Sequence, residues 1–157
     1  MYKRQGCAYR ELKNYEKSLE AFKESRALFK RLKEVINVAR CDQKIAHCLT
    51  ELGDAQGALT AAQKSLDVFV TAHDHRRETY SSFELGKAQM GLAQYEEALM
   101  TLENVLESVT EAEFKDFEFI IDIERKIALT LRKLDRENEA DEIARRLDAV
   151  TEVIDEA

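Results

Sequence analysis

Residues 85–106 read LGKAQMGLAQYEEALMTLENVL, and the spacing within that stretch decides the fold. Leu85, Leu92, Tyr95, Ala98, Leu102 and Val105 recur at steps that keep a helical period, so one face of the segment is apolar and the other wet. Gly86 and Ala98 are small where their neighbours are large. A small residue on each of two successive helices lets the backbones approach, with Tyr95 opening the second helix and covering the turn.

The same order of residues occurs three more times. Gly6, Tyr9, Leu12, Tyr15, Ser18, Phe22 and Ser25 form the first copy; Ala46, Leu49, Leu52, Gly53, Ala55, Ala58, Ala62 and Ser65 form the second. The last runs through Ile127, Ala128, Leu131, Leu134, Glu137, Ala140, Ala144 and Leu147, with Glu137 where an aromatic stood and Ala144 where a bulky residue stood. Internal repetition at a fixed period marks a solenoid of stacked supersecondary units.

This signature resembles that of the tetratricopeptide repeat. The resemblance implies an all-α, right-handed superhelix of about four antiparallel helix pairs. Successive small positions, Gly6, Ala46, Gly86 and Ala128, are 40, 40 and 42 residues apart, against the family's usual 34 or so, so the helices are long for the type. Repeats are expected at about 1–33, 34–73, 74–114 and 115–157 of one solenoid domain, 1–157. Helices are expected at 2–12, 15–31, 35–52, 55–72, 76–92, 95–112, 117–134 and 137–154, with turns at Lys33-Glu34, Gly53-Asp54, His73-Asp74-His75 and Lys115-Asp116.

Composition agrees. With no proline and five glycines among 157 residues, the residues that punctuate sheets and long loops are scarce. Apolar residues at 45% and charged residues at 35% suit helices buried on one face. Cys7, Cys41 and Cys48 show no paired spacing; Cys41 and Cys48 lie about 10 Å apart along one helix, too far for a disulfide. Buried thiols in a reducing compartment, and hence a cytoplasmic chain, are the expectation. No run nears the roughly 20 apolar residues of a membrane span.

The net charge of −7 is uneven: from Asp135 onward nine acids face three bases. Ala140, Ile143, Ala144, Leu147, Val150 and Ile154 form one stripe there, with charge elsewhere, as a polar terminal cap requires. At the other end, Met1–Gln5, MYKRQ, resembles a translated adapter scar, which would make the chain a C-terminal fragment of a longer repeat protein.

The resemblance further implies that the first helix of each pair lines a concave groove. On the third repeat Ser82, Leu85, Gly86, Gln89 and Leu92 form the packing stripe. Tyr80, Phe83, Lys87 and Met90 form a second, either facing the groove or covering the preceding repeat. By the family's register the other groove residues are Lys3, Cys7, Arg10, Glu11, Arg40, Gln43, His47, Thr50, Glu51, Asp122, Arg125, Leu129, Arg132 and Lys133. Together with Lys87 these hold seven bases and three acids, a basic lining in an acidic protein. Arg40 and Lys44 match the basic pair of the carboxylate clamp of some family members, but Cys7 replaces its asparagine, so tail binding of that kind is not expected.

Catalytic chemistry is not expected. His73-Asp74-His75 with Glu78 offers too few ligands for a closed zinc site, His47 is alone on its helix, and no phosphate loop or nucleophile elbow occurs. No cofactor and no metal are expected, and Tyr80 and Phe83 are too few for a nucleic-acid stacking platform. The partner expected is a protein or peptide, acidic with an apolar anchor, held for scaffolding or regulation. Two other readings compete: a sensor or regulatory arm of a larger transcriptional regulator or signalling enzyme, and a self-associating structural repeat.

Overall fold

The computed structural model describes residues 2–113 and 115–156, with side chains from Leu12 onward. Seven helices and no strand occur among the described residues: α1 (Tyr2–Arg31), α2 (Val35–Glu51), α3 (Ala55–Thr71), α4 (His75–Gly91), α5 (Tyr95–Glu111), α6 (Phe117–Lys133) and α7 (Glu137–Glu156). The all-α superhelix read from the sequence is thus what the chain forms.

Between helices the chain reverses through a left-handed residue. Lys33, Gly53, His73, Ala93 and Asp135 have φ of 59°, 85°, 55°, 58° and 58°. Two of the helices that follow, and α6 as well, are capped by aspartate: Asp54 accepts from the Gly57 N–H, Asp74 from that of Arg77 and Asp116 from that of Phe119. Each cap satisfies a backbone donor that the first helical turn leaves open. The α5–α6 connection is different. Ala112 leaves α5 in an extended conformation and the link is two residues longer, which accounts for the 42-residue spacing.

The first expected helix pair is not a pair. α1 runs unbroken through Lys13-Asn14, where residues 2–12 and 15–31 were expected to fold back on each other. The reason is phase: Leu12, Tyr15, Ser18 and Phe22 recur at three, three and four residues, a spacing that a continuous helix satisfies as well as a reversal. No glycine or proline interrupts them.

Packing uses the small positions as anticipated. Ala46, Ala58, Ala98 and Ala140 are 0% exposed, and a Cβ on Gly86 would stand 2.9 Å from Leu102 Cδ2. Two apolar clusters result. One joins α2 and α3 through Ile45, Ala46, Ala61 and Ala62, with Leu19, Phe22 and Leu85 against it. The other runs through Phe83, Leu102, Val105, Ile123, Ile127 and Leu131 to Ala140.

The curvature follows from which helices touch. Beyond chain neighbours, the backbone of α2 lies close to that of α4 and α4 to α6, whereas those of α3 and α5 stand further apart. The first helices therefore form a close inner row and the second helices splay apart outside, so the stack is concave along α2, α4 and α6.

Candidate functional site: the inner row of helices

At the middle of the inner row the expected aromatic anchor is spent on packing. Phe83 is 7% exposed, edge-on to Phe119 of α6 at 5.1 Å, while Tyr80 stacks on the same ring at 4.5 Å. Met90 is half-buried against the same cluster. Neither alternative for this stripe holds as read: Tyr80 and Phe83 pack, but on Phe119 of the following repeat and not on the preceding one. Tyr80 keeps a half-buried edge.

Lys87 is also buried, contrary to its expected place on the groove lining. Its Nζ lies 3.0 Å from Glu84 Oε1 and 4.8 Å from the Phe83 ring centroid. His47 of α2 completes the cluster: its Nδ1 is 3.4 Å from Glu84 Oε1 and 3.4 Å from Lys87 Nζ, with the Tyr15 ring 5.8 Å away. Burial alone would push the Glu84 carboxyl up; the His47 hydrogen bond and the Lys87 ammonium outweigh it and hold the group below its ordinary value. The same burial, helped by the Glu84 charge, pushes the nearby Cys48 thiol up. Glu84 Oε2 is buried without a hydrogen-bond partner among the described residues. Sequence reasoning missed Glu84, although its i, i+3 spacing to Lys87 was a visible pairing signal.

Other lining residues are occupied too. Gln43 donates to the Arg77 carbonyl and to Ser81 Oγ, both at 3.2 Å, tying α2 to α4. Thr50 is half-buried and donates to the Ala46 carbonyl at 3.0 Å. Arg125 stands 3.9 Å from Asp122, and Arg132 lies 3.2 Å from Asp141 and 3.6 Å from Glu137. Leu129 is 49% exposed on the same row. Of the five described bases of the expected lining, Lys87, Arg125 and Arg132 are thus paired with the chain's own acids. Lys3, Cys7, Arg10 and Glu11 lie outside the residues whose side chains are described.

Arg40 is not among the paired bases, and it stands with other cations. It is exposed at a cleft of about 560 Å³ between α1, α2 and α4, whose walls also carry Lys44, Asn37 and Arg76 and whose apolar side is Phe22, Phe29 and Tyr80. Asp74 in this cleft is already engaged. The Arg77 guanidinium at 2.6 Å and then the Arg77 N–H hold its carboxyl below the ordinary value. Among the described residues no carboxylate pairs with Arg40, Lys44 or Arg76. Arg76 had not been singled out, because its place in the first turn after an Asp cap reads as an ordinary solvated helix start.

A second cleft, of about 910 Å³, opens beside the longer α5–α6 connection and is lined by Tyr80, Val109, Glu111, Asp116 and Phe119 among others. No group of three or more metal-ligating side chains occurs among the described residues, and none of their helices is long and apolar enough to cross a membrane.

The tetratricopeptide-repeat family model matches residues 1–25. A Rap protein solved in complex with Competence and Sporulation Factor superposes with a TM-score of 0.78 at 18% identity, over 94% of this chain and 41% of that one. The nearly identical TPR-like repeats of a Podosopora anserina protein described as a kinesin light chain superpose at 0.73 and 17% identity, over 95% and 74%. The chain thus spans less than half the length of the Rap protein. No curated protein sequence matches it significantly. Repeat signature, inner and outer helix rows and these superpositions agree: the chain folds as an all-α helical solenoid, the fold of the tetratricopeptide-repeat proteins it is similar to.

Proposed function

We propose that the chain is a protein-interaction module that holds a peptide, or an extended segment of a partner, along its concave inner row, in a scaffolding or regulatory role. The observation that carries this reading is the cleft at Arg40, Lys44 and Arg76: three cations that no acid among the described residues pairs, beside an apolar wall. Charged residues on a helical surface usually find neighbours within a turn, as Arg125 does with Asp122, or on the adjoining helix, as Arg132 does with Asp141. Cations left open in a concavity attract acidic ligands. The partner is accordingly acidic with an apolar side chain, and Phe22, Phe29 and Tyr80 replace Phe83 as the surface for that anchor. Thr50 and Leu129 extend the contact along the row. The reading involves no catalysis, cofactor or nucleic acid, and the buried free thiols Cys41 and Cys48 favour a cytoplasmic setting.

Arg40→Glu with Lys44→Glu tests it. Affinity for a purified partner, measured by calorimetry, should fall at least about tenfold while far-UV circular dichroism stays unchanged. Undiminished affinity would move the interface off the inner row.

A second reading, a sensor or regulatory arm of a larger protein, is favoured by the 41% coverage of the Rap chain; an effector domain in the same gene would support it. Self-association, the third, has a candidate surface in Leu28, Leu32, Val35 and Ile36, exposed together at the α1–α2 corner. Light scattering on a concentration series separates it from the first two.

A further inference from the structure

The unpaired cations of the α1–α2–α4 cleft differ in origin but share one mouth. Arg40 and Lys44 stand one turn apart on α2, about 6 Å along the axis, and both are exposed. Arg76 reaches in from the first turn of α4, where the aligned N–H groups add positive potential. The one carboxylate among the described lining residues, Asp74, accepts from the Arg77 N–H at 3.1 Å and from Arg77 Nη1 at 2.6 Å, so it neutralises Arg77 and leaves the other three cations untouched. A single Asp or Glu of a ligand would answer one of those three. A phosphoryl group brings nearly two negative charges and three strong acceptor oxygens, enough to meet two guanidinium groups and an ammonium at once.

We propose that this cleft recognises a phosphorylated side chain of the bound peptide, with the neighbouring apolar residue of that peptide against Phe22, Phe29 and Tyr80. This rests on the peptide-binding reading above and adds a condition to it: the partner is held when modified and released when not. The cleft volume of about 560 Å³ admits a phosphorylated side chain together with one apolar neighbour.

The test uses degenerate fluorescent dodecapeptide pools centred on phosphotyrosine, phosphoserine, tyrosine or glutamate, titrated with the full chain and read by anisotropy. A phosphorylated pool should bind at least about tenfold more tightly than the glutamate pool. That advantage should vanish in Arg40→Ala/Arg76→Ala, whose exposed positions leave folding intact. Its salt dependence should also be steeper. If the pools bind equally, and Leu129→Arg weakens all of them alike, the phosphate proposal fails while the peptide-binding reading stands. If no pool binds, both fail together. Phenyl phosphate alone, titrated by calorimetry, gives the source: binding of the small phosphate without any binding of the phosphopeptides overturns the peptide as ligand.

Discussion

Lys87 meets two needs with one side chain: its ammonium neutralises the buried Glu84 at 3.0 Å while its charge faces the Phe83 ring. A buried carboxylate that loses its counter-charge is costly, whereas removing both members is mild. Lys87→Met should therefore destabilise the fold by about 3–5 kcal/mol in urea unfolding, and Glu84→Gln/Lys87→Met should recover most of that loss. The pH dependence follows from the lowered Glu84 value. A depressed carboxylate adds stability that is present above its ordinary value and disappears as pH falls through the lower, folded one. Glu84→Gln should accordingly flatten the loss of stability below pH 4.5, the ordinary glutamate value. Reading this residue from sequence was limited by partners on other helices. A Phe83–Lys87 stripe looks the same whether it faces water or is covered, and what covers it, Phe119, lies 36 residues further on. Arg125 and Arg132, in contrast, have acids nearby in the chain: Asp122 belongs to the lining already counted, and Glu137 and Asp141, on the next helix, reduce the excess of bases further.

At the scale of the helix, boundaries were legible because each reversal is written locally. From α2 to α7 the helix ends fall within two residues of expectation, since Asp54, Asp74 and Asp116 cap their helices and each short turn needs a left-handed residue. α1 was misread because the repeat signature keeps helical phase across Lys13-Asn14. Only one of the five left-handed positions is glycine. At Ala93 an alanine holds φ at 58° and is exposed, so its Cβ meets strain that no packing offsets. Ala93→Gly should raise stability by about 1 kcal/mol and the melting temperature by about 2–4 °C, seen by calorimetry. An unchanged or lower melting point would mean the Cβ is better tolerated at that turn than local sterics allow.

For the molecule as a whole, stability is divided between two clusters that meet at α4. Solenoids hold together by nearest-neighbour interfaces, so damage on one side need not travel to the other. Leu102 is 0% exposed in the second cluster. Leu102→Ala should cost about 2–5 kcal/mol and, in hydrogen exchange, lower protection in α5 and α6 more than in α2 and α3. Uniform loss of protection would show that the stack unfolds as one unit.

The gap between α3 and α5 sets how the stack deforms. Inner helices that approach closely act as a hinge line, and outer helices whose backbones stand further apart resist flexing about it less. The molecule is built like a leaf spring, stiff along each helix and compliant between pairs. A bound segment can then be gripped by a small change of pitch spread over every interface, with no single joint opening far enough to expose either core.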